Sequence, residues 1–162
     1  MDRRSRALEV DIRLADAFGS RIVARSRDIT HELIHAVLSQ NTSRSNYQLA
    51  YSRLTDAYPS IEELAEAPLS GIERAIRPGG LSMRKSRVIK AVLAAIKADR
   101  GDYSLEFLRE MNVGRAREYL TSLPGVGPKT ASVVLMFADG RKVLPVDTHV
   151  LRTSKRLGLI DE

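Results

Sequence analysis

The string Leu123-Pro124-Gly125-Val126-Gly127-Pro128-Lys129-Thr130-Ala131 constrains this chain more than any other, because it must turn sharply and then begin a helix. Gly125 and Gly127 lack a Cβ, so the turn can take positive φ and let another backbone come close. Pro128 suits the first position of a helix, where its missing N–H costs nothing. The apolar run from Thr130 to Ala138 then continues as a helix packed on most sides. N–H groups at that helix start, together with the positive end of its dipole, form a seat for a phosphate. A short Gly-x-Gly alone reads equally well as an ordinary loop-to-helix turn. The full string is far longer, and its weight falls on function.

Lys129 falls in the first helical turn, where a cation is electrostatically disfavoured. A lysine kept for solubility is better placed at the other end. An amine there reads as a nucleophile for a carbon centre, with simple phosphate pairing as the alternative. Downstream, Val146-Asp147-Thr148-His149 brings a carboxylate to the start of a further helix running to Arg156. Asp147 is a natural N-cap for that helix, and capping is compatible with chemistry because a cap fixes the carboxylate. A phosphate-gripping turn, an amine and a carboxylate together point to chemistry on the sugar-phosphate chain of DNA.

The rest of the chain reads as all-α. Ser60-Ile-Glu-Glu63 and Ser70-Gly-Ile-Glu73 both carry the capping-box pattern at the start of short helices. Ile29, Leu33, Ala36 and Val37 recur at helical spacing, as do Val88, Val92, Ala95 and Ile96. Pro59, Pro68, Pro78-Gly79-Gly80 and Gly101 punctuate the helices, and no strand-like alternation between tight turns appears. The length suits one adequate core with a small second lobe. The expected organisation is an N-terminal helix of a partial second lobe (1–24) and a helical core (25–140) with a helix-hairpin-helix near 114–138. A segment carrying Asp147 and its helix (141–162) completes it.

The formal net charge of +6 suits a polyanionic partner without proving one. Arg84, Lys85, Arg87 and Lys90 form one basic run, and Arg152, Lys155 and Arg156 another. Either alone reads as a solvated helix face; beside the motif, phosphate contact is the better reading. Met-Asp-Arg-Arg opens the sequence without an apolar run behind it, and nothing approaches a membrane span. A cytoplasmic, nucleoid-associated setting is therefore expected. Aromatic content of 5% argues against a single-strand binder that stacks bases on many rings.

On these residues the chain resembles the helix-hairpin-helix (HhH-GPD) DNA glycosylases, most closely the endonuclease III branch. Lys129 and Asp147 match that branch's nucleophile and carboxylate. Leu38-Ser39-Gln40-Asn41-Thr42 resembles the segment whose glutamine fills the gap left by an extruded base. Gly80-Leu81-Ser82-Met83-Arg84-Lys85 resembles the loop whose leucine wedges into the opposite strand. The resemblance runs from about Asp28 to the last residue. It implies base excision repair by a DNA N-glycosylase with AP lyase (β-elimination) activity on oxidised pyrimidines. The partner is double-stranded DNA carrying a damaged base or an abasic site. Gln40, Leu81, Gly125, Val126, Gly127, Thr130, Arg84 and Lys85 are the implied DNA contacts. The backbone carbonyls of Thr121, Leu123 and Val126 are the implied seat of a monovalent cation.

Two alternatives stay open: a monofunctional glycosylase for mismatched thymine or uracil, and a non-catalytic helix-hairpin-helix module that only binds DNA. Relatives of the first kind often carry tyrosine or serine where Lys129 stands. The chain has no cysteine, whereas the endonuclease III branch commonly holds an iron–sulfur cluster on four. No cluster, no other cofactor and no transition or divalent metal is therefore expected, the monovalent cation at the hairpin apart. Family members also usually continue for several helices beyond the position of Glu162. If those helices buttress Asp147, turnover in this chain is expected to be weak or absent. A monomer is expected, with Leu8, Phe18 and Leu157 as apolar surface through which copies could associate.

Overall fold

A computed structural model of the chain describes residues 2–19 and 28–161. Among these residues the regular structure is all helical, with no strand. They divide into two compact units, one made of Met1–Ala24 and Val146–Glu162, the other of Arg25–Pro145. No helix among the described residues is long and apolar enough to cross a membrane.

The larger unit runs through α2 (Ile29–Ser39), α3 (Arg44–Ala57), α4 (Ile61–Glu66), α5 (Leu69–Ile76), α6 (Ser82–Arg100), α7 (Val113–Ser122) and α8 (Pro128–Phe137). Two 3-10 turns, Arg77–Gly79 and Glu106–Glu110, flank α6. Most of its helix starts are dictated by one polar side chain each. Asp28, Ser43, Ser60 and Asn112 accept from the N–H three residues on, at 2.8, 3.3, 3.1 and 3.0 Å. Each bond satisfies a donor that the helix itself leaves unpaired. Ser60 thus caps as its sequence pattern predicts. Ser70 does not: α5 begins at Leu69 with Pro68 in the cap position and no side-chain cap. Proline's fixed φ opens the helix before Ser70 is reached.

Two apolar cores lie in this unit, and α2 and α6 feed both. Ile29, Leu33 and Ala36 of α2 join Val92 and Ile96 of α6 in the first, with Leu120, Leu123, Val126, Ala131 and Leu135 from the hairpin region. Ile34, Val37 and Leu38 join Ile89 and Leu93 in the second, with Leu54, Leu64, Ile72 and Ile76 from α3 to α5. A helix pinned on two sides is held in rotation as well as in place. Consequently the segments that end α2 and begin α6 are fixed in position, and both belong to the candidate site.

The first core has one polar defect. Tyr119 packs edge-on against Phe107, and its buried hydroxyl finds no hydrogen-bond partner among the described residues. Burial, reinforced by the Asp99 carboxylate, pushes its pKa up to about 12. The unfolded chain therefore releases this proton first, near 10.0, and stability falls as pH rises from there towards 12. Tyr119→Phe is expected to change stability by no more than about 1 kcal/mol at pH 7, because the buried hydroxyl it removes lies near the Asp99 carboxylate without a well-formed hydrogen bond. Melting temperatures of both proteins across pH 9–12 check this: the variant should lose less over the alkaline range.

The smaller unit contains α1 (Arg3–Phe18) and α9 (Thr148–Arg156). Asp2 caps α1, accepting from the N–H groups of Arg4 and Ser5 at 2.8 and 3.0 Å. The Arg6 guanidinium donates to the carbonyls of Leu157 and Gly158 at 3.3 and 3.0 Å, and Arg3 pairs with Asp161. Polar bonds thus join the two ends of the unit, while neither helix buries a residue. Leu8 and Phe18 are 61% and 70% exposed.

Candidate nucleic-acid interface

The turn between α7 and α8 is built by Pro124 and Gly125. The Val126 N–H donates to the Leu123 carbonyl at 3.2 Å, and Gly125 takes φ +74°. Proline second and a positive-φ glycine third is the pattern of a type II turn. Leu123 and Val126 are buried in the first core and pin the turn to it. Gly127 differs from expectation, because it is extended at φ −92°, ψ 175°. Its carbonyl accepts from Ala131 at 2.9 Å and starts α8.

The two glycines therefore serve different ends. A Cβ on Gly125 would stand 2.8 and 3.0 Å from the Val88 methyls, so the fold itself demands glycine there. A Cβ on Gly127 would meet nothing within 4 Å. Its bareness leaves open surface next to the start of α8, where no side chain among the described residues caps the helix. Pro128, Lys129 and Thr130 form the first turn of α8, Lys129 exposed and Thr130 buried.

Gln40 closes α2 and its side-chain amide donates to the Thr130 hydroxyl at 3.2 Å. Two candidates far apart in sequence are thus joined. Beyond them, Gln40, Asn41, Leu81, Arg84, Lys85 and Gly125 line one cleft with Val37 and Val88. Asn41 was not among the residues singled out from the sequence. It is exposed and holds φ +51°, and its cue is an asparagine directly after a helix end, a residue that tolerates the left-handed region. Leu81 also holds φ +51°, with ψ 32°, and is 51% exposed. These two are the only non-glycine residues with positive φ among those described, and they share this cleft.

A left-handed leucine is strained by about 1–2 kcal/mol relative to glycine. Strain kept at an exposed apolar tip indicates a use for that tip. Leu81→Gly is expected to leave stability unchanged or raise it by up to about 1 kcal/mol, because relieved strain competes with glycine's added unfolded-state entropy. If Leu81 is the wedge that the resemblance implies, the same change should also remove distortion of lesion-containing duplexes. Thermal melting and fluorescence of a base analogue beside the lesion would separate the two effects.

Lys85 corrects the reading of the first basic run. It is 3% exposed, and its ammonium donates to the carbonyls of Leu38 at 2.7 Å and Gly79 at 2.9 Å, so it is not a phosphate contact. Burial holds its pKa below the ordinary lysine range. Lys90 is likewise turned inward, donating to the carbonyls of Ala65 and Ala67 at the end of α4. Arg84 and Arg87 are exposed and border a second shallow cleft with Leu81, Ser82, Met83 and Val88.

In the smaller unit, Asp147 caps α9, one carboxylate oxygen accepting from His149 and Val150 N–H at 3.0 and 2.8 Å. Arg152 donates to the His149 imidazole at 3.1 Å, and Arg152, Lys155 and Arg156 are exposed.

The model for HhH-GPD superfamily base excision DNA repair proteins matches residues 34–162. The chain belongs to that superfamily. A candidate DNA glycosylase of Arabidopsis thaliana is 41% identical over 128 residues, covering 79% of this chain and 44% of that protein. Endonuclease III of Sulfolobus acidocaldarius is 30% identical over 154 residues, covering 94% of this chain and 66% of its own length. Endonuclease III of Bacillus subtilis is 36% identical over 79% of this chain and 55% of that enzyme. The chain thus spans between about half and two thirds of the curated relatives it matches. A solved endonuclease III, trapped as a covalent intermediate with DNA, superposes with a TM-score of 0.75 at 33% identity. That match covers 98% of this chain and 70% of the other.

The matched residues include α7, the Leu123–Val126 turn and α8. An iron–sulfur cluster of the endonuclease III kind does not fit these 162 residues, which include no cysteine. Among the described residues no group of histidine and carboxylate side chains could hold a metal ion either.

Proposed function

We propose that this chain carries the chemistry of a base excision DNA glycosylase with AP lyase activity, of endonuclease III type, acting on oxidised pyrimidines. The observation that carries the proposal is Lys129 itself: an exposed amine in the first turn of α8, directly after a hairpin whose open flank can admit a phosphodiester. Lysine, rather than the tyrosine or serine of mismatch-specific relatives, favours a covalent route.

Binding starts at the backbone. The α8 N-terminus takes one phosphate, and exposed Arg84 and Arg87 take others, setting register without reading sequence. Leu81 and the Gln40–Asn41 turn enter the duplex and hold the damaged base outside the stack, where its sugar carbon becomes accessible. The Lys129 amine, in its neutral form, attacks C1′; the C1′–N bond breaks and the base departs with that electron pair. Loss of an amine proton and ring opening leave a Schiff base on Nζ. Abstraction of a C2′ proton then expels the 3′ phosphate by β-elimination, and water releases the enzyme. The resemblance to the endonuclease III branch assigns Asp147 the carboxylate role, in which it would stabilise positive charge developing on the sugar and assist the proton transfers. Its bonds from two α9 amides fix one carboxylate oxygen for that work. The carbonyls of Thr121, near the end of α7, and of Leu123 and Val126, in the turn, would hold a monovalent cation, which would supply positive charge beside a phosphate.

The test is borohydride trapping on duplexes carrying either an abasic site or an oxidised pyrimidine. A covalent adduct on both supports the full reading. An adduct on the abasic duplex alone leaves a lyase without base excision, and none, despite salt-sensitive binding, leaves a DNA-binding module.

A further inference from the structure

Lys85 is a buried cation that the chemistry above does not use. Its two acceptors are informative. Leu38 lies in the last turn of α2, just before Gln40 and Asn41; Gly79 ends the 3-10 turn that leads into Gly80 and Leu81. Both carbonyls belong to the C-terminal end of a helical segment, where orphan acceptors and the negative end of the dipole favour a cation. One ammonium therefore satisfies two helix ends at once, at 2.7 and 2.9 Å. Two residues beyond each end stands one of the two left-handed non-glycine residues, Asn41 and Leu81, and these two and Lys85 line the same cleft.

We propose that Lys85 is a positioning residue that clamps the Asn41 turn and the Leu81 turn at one fixed separation, so that both tips meet the duplex as a unit. The proposal rests on the reading that these tips enter DNA. Its physical content is rigidity: a buried ammonium with two short bonds to backbone oxygens fixes the backbone itself, whereas a surface ion pair fixes only side chains. Neighbouring Arg84 and Arg87 remain outside for phosphate, which separates positioning from affinity within one helical turn.

The experiment is a double-mutant cycle on the whole chain. The probe is a duplex with a tetrahydrofuran abasic analogue flanked by 2-aminopurine, whose fluorescence rises on unstacking. Lys85→Met keeps the stem and removes the donors. It is expected to lower the unstacking equilibrium about tenfold, while affinity for undamaged duplex stays within about twofold of the parent. In a background already carrying Asn41→Ala and Leu81→Ala, Lys85→Met should change unstacking little further. An equal loss in both backgrounds would mean that Lys85 acts through general stability, and the proposal would fail. Lys85→Gln, which retains one donor, is read in the same cycle if the methionine variant does not fold. If the parent chain itself gives no unstacking signal, the reading that the tips enter DNA falls. If the parent unstacks and Lys85→Met does so equally, the clamp alone falls.

Discussion

Lys129→Ala is expected to abolish borohydride-trapped adduct and to reduce strand cleavage at an abasic site on the order of 10⁴-fold, because the proposed route depends on this amine as its covalent nucleophile. Binding should respond quite differently. A lysine that also touches one phosphate contributes about one unit to the slope of log affinity against log salt, so affinity should fall by no more than roughly tenfold. Single-turnover cleavage and a salt titration of the same variant read the two quantities separately. A parallel change in both would make Lys129 a phosphate contact and nothing more. Asp147→Asn sharpens the comparison. Asparagine caps a helix as well as aspartate does, so the bonds that His149 and Val150 make to this side chain survive. The fold should hold, while loss of the charge should lower glycosylase turnover by about 10²–10³-fold. A variant that keeps both its melting temperature and its full turnover would show that capping, and not charge, is what Asp147 supplies.

Much of this molecule was legible in the sequence because the relevant forces are local. Ser60 and Asp147 announce helix starts by chemistry that needs only the next three residues. Ser70 misled because Pro68, two residues earlier, had already taken the cap position. The hairpin string was readable as a turn plus a helix start. It was not readable which glycine the fold needs, since that depends on Val88, distant in sequence but 2.8 Å from where a Gly125 Cβ would stand.

The basic run shows where sequence reading stops and what signal was missed. Arg84, Lys85, Arg87 and Lys90 look alike as a cluster of charge, yet only the two arginines stay outside. Helical spacing carried the distinction. Lys85 stands four, seven and eleven residues before Ile89, Val92 and Ile96, on the stripe that faces the cores. A lysine on an apolar stripe must find carbonyls or remain unburied, and here two helix ends supply them. Asn41 escaped for another reason: its value lies in a left-handed backbone that becomes visible only once α2 is seen to end beside it.

Replacing the two hairpin glycines by alanine should produce opposite phenotypes. At Gly125 alanine must adopt φ +74° and place its Cβ 2.8 Å from a Val88 methyl that is itself packed against both cores. Left-handed strain and overpacking together are expected to cost about 2–4 kcal/mol. At Gly127 the backbone is extended and the new methyl meets no protein atom. Glycine's small advantage as an N-cap is offset by alanine's lower unfolded-state entropy, so stability should change by less than about 1 kcal/mol. The methyl would instead occupy the open flank of α8, where the proposed phosphodiester must approach backbone N–H groups. Affinity for duplex DNA should therefore drop tenfold or more, roughly the worth of one charge-assisted bond, while the melting temperature holds. Denaturant titration beside fluorescence anisotropy decides it. If Gly127→Ala binds DNA like the parent, the phosphate does not enter along this flank, and the approach of DNA to Lys129 has to be sought from another side of the hairpin.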